Sequence, residues 1–140
     1  MKKAILIPIA LAVLIVSSCS TVSKSHSSPL EGSWSGRENT PGHQGTASLT
    51  FTGQTLQFHG TDADDWADGT FILHENTNPK QLVGVITNCS SGETIGKTVY
   101  AIYKIEADTL TLSGNSPGNL NIPAAFDTPG TRQFVLKHAE

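Results

Sequence analysis

Four aspartates, Asp62, Asp64, Asp65 and Asp68, crowd around Trp66 and raise the question of a bound cation. Counted from Asp64 as position 1, Asp68 falls at position 5, Gly69 at position 6 and Glu75 at position 12, half the ligand order of a calcium loop. Position 3, however, is Trp66, and Phe71 and Leu73 alternate as a strand through the stretch that would have to stay loop. The segment reads as an acidic hairpin that keeps one end of the fold soluble, and no metal is assigned to it. The histidines, His26, His43, His59, His74 and His138, never fall at a metal-ligand spacing. His59 and His74 lie near the ends of neighbouring strand candidates, where an approach is conceivable, but scattered surface histidines fit better. Cys89 has no base nearby in the sequence and reads as a half-buried thiol. No nucleophile elbow, no paired carboxylates at glycosidase-like positions and no glycine-rich phosphate loop occur. The expectation is a non-enzymatic protein without a cofactor.

Cys19 stands apart, because the chemistry around it is complete. Met1-Lys2-Lys3 is a short basic start, and residues 4–16 form an apolar run interrupted by Pro8. That run is shorter than the roughly 20 residues of a spanning helix and suits the apolar region of a signal peptide. It ends in Val16-Ser17-Ser18-Cys19. An aliphatic residue, two small residues and a cysteine resemble the lipobox of bacterial lipoproteins. The resemblance implies cleavage between Ser18 and Cys19, diacylation of the thiol and acylation of the new amine. Each buried methylene contributes about 0.8 kcal/mol and one chain binds only marginally, so two or three chains are what hold a domain on a membrane. Ser20, in place of an aspartate after the cysteine, favours the outer membrane facing the periplasm.

Removing residues 1–18 of the 140 leaves enough chain for one domain and not for two. The mature chain keeps seven basic and all twelve acidic residues. That acidic balance argues against nucleic acid and against anionic headgroups, so the lipid and not the protein surface makes the membrane contact. With Cys19 acylated, Cys89 has no disulfide partner. Residues 19–29, rich in serine, read as a flexible tether, and residues 30–140 as the folded domain.

Within that domain apolar residues alternate with period two between turn signals. The expected strands are 33–38, 46–52, 55–60, 69–75, 81–88, 98–106, 109–113 and 132–138, with Gly53-Gln54 and Ala107-Asp108 as tight turns. No segment carries a helical period. Eight short antiparallel strands suit an all-β, closed up-and-down barrel, in which closure removes exposed strand edges. A two-sheet β-sandwich is the alternative.

Gly32-Ser33-Trp34 resembles the Gly-x-Trp signature on the first strand of lipocalin-type barrels. Leu49-Thr50-Phe51, Asp68-Gly69-Thr70-Phe71, Gly96-Lys97-Thr98, Ala101-Ile102-Tyr103, Asp108-Thr109-Leu110-Thr111-Leu112, Phe126 and Phe134-Val135-Leu136-Lys137 extend the likeness over nearly all of residues 30–138. The pattern is similar to a bacterial lipocalin-like domain family of unknown function found in exported proteins and lipoproteins. The resemblance implies that Trp34 closes the narrow end of the barrel and that Arg132, opening the last strand, packs over its ring. Members often carry a basic residue before the proline of the last loop; here Ile122 precedes Pro123.

Residues 115–130 contain three prolines and the apolar Leu120, Ile122 and Phe126. A loop this long is functional more often than not. It is expected either to plug one end of the barrel, the favoured arrangement, or to form a lid over a pocket. The functional expectation is a lipid-anchored envelope protein whose barrel carries a small apolar ligand. The alternative is a packed structural or protein-interaction module without one, since eight strands are just wide enough for either.

Overall fold

A computed structural model describes residues 27–140. The expected signal peptide, the expected lipidation site Cys19 and most of the expected tether lie outside the described residues.

Eight strands follow in chain order: β1 (Gly32–Thr40), β2 (His43–Thr52), β3 (Thr55–His59), β4 (Trp66–His74), β5 (Lys80–Cys89), β6 (Thr98–Glu106), β7 (Thr109–Gly114) and β8 (Arg132–His138). Each pairs antiparallel with its neighbour in sequence, and β1 also pairs with β8, so the sheet is a closed up-and-down barrel. The tight turns fall where expected, with Thr52 opposite Thr55 and Glu106 opposite Thr109. The first hairpin reaches further than alternation predicts: Thr40 faces His43 across Pro41-Gly42. β4 likewise begins at Trp66, so the strand runs through the positions that a calcium loop would need.

Alternation places Trp34, Gly36 and Glu38 of β1 on the inner face, opposite His138, Leu136 and Phe134 of β8. Two glycines permit this pairing. A side chain on Gly36 would run into the Val135 carbonyl, so β1 and β8 approach closely there. Gly32 has φ of +111°, and the His138 ring occupies the space that its Cβ would take.

Side-chain size divides the interior. Toward the end where the chain enters, the inner positions are large: Leu30, Trp34, Phe51, Phe71, Tyr103, Leu110 and Leu136 form a closed core. Toward the other end they are small, with Ala67, Gly69, Gly84, Ala101 and Gly114 on the walls. The barrel is therefore filled at its base and hollow at its mouth.

The long β7–β8 loop gives Asn115 and Pro117 to the lining of that mouth, whereas Leu120, Ile122 and Phe126, the residues expected to form a plug or lid, do not line it. Leu120 and Ile122 are 76% and 43% exposed, and Phe126 is half-buried outside the core cluster. The Asn115 and Gly118 amides bond to the carbonyls of Tyr100 and Thr98, and Lys104 lies 5.2 Å from the centre of the Phe126 ring. The loop is thus pinned to β6 on both sides of Ile102. Ile102 and its β7 partner Ser113 alternate onto the outer face and are nonetheless fully buried. The segment is an external strap over the β6–β7 wall.

Candidate functional site

The mouth opens into a cavity of about 340 Å³, within the size range of small-molecule sites. Its walls are Leu49, Leu56, Phe58, Leu82, Val99 and Phe134, with the small residues named above, and its rim carries Asp64, Asp65, Trp66, Cys89 and Arg132. Among the described residues, no lysine or histidine lines it.

Arg132 is the first residue of β8, and alternation turns it to the same inner face as Phe134. Its Nε and Nη2 donate to Glu38 Oε1 and Oε2 at 2.8 and 2.7 Å, and Nη1 and Nη2 donate to Asp65 Oδ1 and Oδ2 at 3.1 and 2.9 Å. The guanidinium carbon also lies 4.9 and 5.5 Å from the ring centres of Phe58 and Phe134. Such bidentate geometry, flanked by aromatic faces, is what a planar fork makes and an ammonium group does not.

Glu38 is 1% exposed, so its charge needs partners. Thr40 Oγ1 donates to Oε1 at 2.9 Å while accepting the Gln133 amide at 2.9 Å, which ties the end of β1 to the start of β8. His43 Nε2 stands 3.5 Å from Oε2. Burial works to raise the Glu38 carboxyl, but hydrogen bonds from Arg132 and Thr40 and the charges of Arg132 and His43 outweigh it and hold it below the usual carboxylate range. Burial likewise works against the Arg132 charge, and its two carboxylates raise it well above its ordinary value. Asp65 comes from the β3–β4 loop, where its amide donates to the Asp62 carbonyl at 3.0 Å and its carbonyl accepts the Gly60 amide at 2.7 Å.

Ligand atoms of Glu38, His43 and Asp65 lie within 4.8 Å of one another, a spacing open to a metal ion. Arg132 already places a positive charge between the two carboxylates, and the set reads as an ion-pair network.

The Trp34–Arg132 packing implied by resemblance does not form. Trp34 meets His138 edge-on, with ring centres 4.8 Å apart, and its Nε1 donates to the Leu30 carbonyl at 2.9 Å. His138 stands at the base end of β8, and Arg132 lies six residues away at the mouth, on the order of 20 Å along a strand. Trp34 and Gly32 stand at the base, where Trp34 joins the closed core; Arg132 belongs to the opposite end. His59 and His74 also sit at opposite ends, since His59 pairs with Trp66 and His74 with Gln81.

Cys89 is a free, buried thiol on the rim. Thr94 Oγ1 donates to its Sγ at 3.2 Å, and this bond with the loop amides lowers the thiol from its ordinary value. No carboxylate or imidazole contacts it as a base among the described hydrogen bonds.

Sequence reasoning missed Glu38 and Thr40, and placed Asp65 in an acidic hairpin without its pairing to Arg132. A signal for Glu38 existed: it shares the parity of Trp34, which puts a carboxylate on the inner face where only a paired charge is stable. Asp65 carried no such signal, because loop parity is undefined.

No family model, no curated protein and no solved structure matches the chain.

Proposed function

We propose that this chain is a lipid-anchored, lipocalin-like protein of the bacterial cell envelope whose barrel carries a small apolar ligand and catalyses no reaction. The observation that carries the reading is the apolar, open-mouthed cavity above a filled base. At Gly84 and Gly114 a Cβ would meet its nearest atoms at an ordinary 3.6 Å, so close strand approach does not require glycine there, and a barrel serving only as a packed module would gain stability by filling that space. The Val16-Ser17-Ser18-Cys19 motif supports lipidation at Cys19, and Ser20 supports the outer membrane, facing the periplasm. Against chemistry, Glu38 and Asp65 are engaged by Arg132, and Cys89 is bonded to Thr94 without a base.

Cavity filling tests the carriage reading. A Cβ on Gly84 would meet its nearest atoms at 3.6 Å, ordinary contact, and Gly84 lines the cavity. Gly84→Leu should abolish uptake of an apolar fluorescent probe while the barrel stays folded. Equal uptake by the variant refutes carriage in this cavity. Lipidation is tested separately by metabolic labelling with a fatty-acid analogue, which Cys19→Ser should eliminate.

A further inference from the structure

The charge at the mouth goes further than carriage and selects the class of cargo. We infer that the cavity takes a single-chain amphiphile with a cationic head, and disfavours the fatty-acid anion of the same length; this rests on the carriage reading above.

Arg132 is the one basic residue lining the cavity among the described residues, and it is the obvious candidate to receive an anionic head. It is not available for one. Both Nη2 protons and the Nε proton are committed to Glu38 and Asp65, and one Nη1 proton is committed to Asp65 as well. A carboxylate arriving here would compete with two preorganised carboxylates, one of them buried and unable to seek water instead.

The remaining charge has the opposite sign. Asp64, Asp65 and Asp68 line the cavity with Arg132, and Asp62 lies on the same β3–β4 loop; Glu38, buried behind Arg132, has His43 Nε2 at 3.5 Å as a further partner. Across the mouth, the β5–β6 loop carries Glu93 and Lys97, which offset each other. The apolar walls limit screening inside, so a net negative rim attracts a cation and repels an anion at the point of entry. Trp66 on the rim adds aromatic surface of the kind that receives ammonium groups. The volume, near the lower end of small-molecule sites, suits one aliphatic chain.

The test compares decyltrimethylammonium, decanoate and decanol by calorimetric titration into the folded domain at low and high salt. The cation should bind at least about tenfold more tightly than decanoate at low salt, with decanol between them. High salt and Asp64→Asn should each narrow that ratio, and Gly84→Leu should remove binding of all three. If decanol and decanoate bind as tightly as the cation, the charge selection is wrong while carriage stands. If none of the three binds, carriage itself fails. If the cation binds Gly84→Leu as well as it binds the native chain, it sits on the acidic surface and not in the cavity, and the inference is overturned.

Discussion

Glu38 and Arg132, 94 residues apart in sequence, meet fork to fork on the inner face of the barrel at 2.7 and 2.8 Å. The carboxylate is fully buried, whereas the arginine side chain keeps 38% exposure. Arg132→Met should therefore destabilise the domain by about 3 kcal/mol, the low end for a broken buried pair, because Glu38 is left without its main partner. Adding Glu38→Leu should recover most of that loss, since it removes the orphaned charge. Urea denaturation of both singles and the double measures the coupling; simple additivity would mean that the pair does not act as a unit.

Acid should weaken the same network. Glu38 is held below its ordinary value of 4.5, so its contribution is present above that pH and is lost as the pH falls through the lower, folded-state value. Thermal unfolding of the native domain should show a loss of stability beginning near pH 4.5, and Glu38→Gln should flatten that dependence. An unchanged acid limb in the variant would assign the effect to other carboxylates.

Trp34→Ala should cost about 3–5 kcal/mol, because it empties the base of the core and deletes the bond to the Leu30 carbonyl. Combined with Arg132→Met the losses should add, since the two sites stand at opposite ends of the barrel. His138→Ala, by contrast, should be non-additive with Trp34→Ala, because the rings touch.

Tyr103 is 1% exposed and its hydroxyl has no hydrogen-bond partner among the described residues. Tyr103→Phe should leave stability unchanged or raise it by about 1 kcal/mol, since it removes a desolvated polar group and keeps the ring. Burial, with the nearby Glu75 charge, pushes this phenol up to about 12 from 10.0. A group raised in this way favours the fold below pH 10 and loses that contribution as the pH rises toward 12. The variant should lack this alkaline loss in a thermal-unfolding series.

The strap should tolerate change where it is exposed. Leu120→Ser should alter stability by less than about 0.5 kcal/mol. Phe126→Ala should cost about 1 kcal/mol, reflecting a half-buried ring and the Lys104 contact, in place of the larger loss expected of a core residue. A loss of several kcal/mol in denaturant would mean that Phe126 supports more than the outer wall.

Strand identity was legible wherever an apolar residue recurred every second position, as with Leu49 and Phe51 or Leu110 and Leu112. It failed at the mouth, where β1 and β2 extend through polar residues to Thr40 and His43, because a hollow end has no apolar core to imprint a pattern. Glycine and alanine at inner positions hid the cavity in the same way: small residues read as turn or filler until neighbouring strands show that they face one void. Arg132 was legible as important, but not its partner. Trp34 and Arg132 share an inner face, and only the register between β1 and β8 separates their ends.

The pairing of β1 with β8 sets the order of assembly. Seven of the eight ladders join strands adjacent in sequence and can form as hairpins, whereas β1 and β8 must wait for the whole intervening chain. That last seam is fastened at the mouth by Glu38 on Arg132 and by Thr40 on the Gln133 amide. Weakening these two fasteners should slow closure and prolong a state in which the outer edges of β1 and β8 stay open, the state from which one molecule can lend its terminal strand to another.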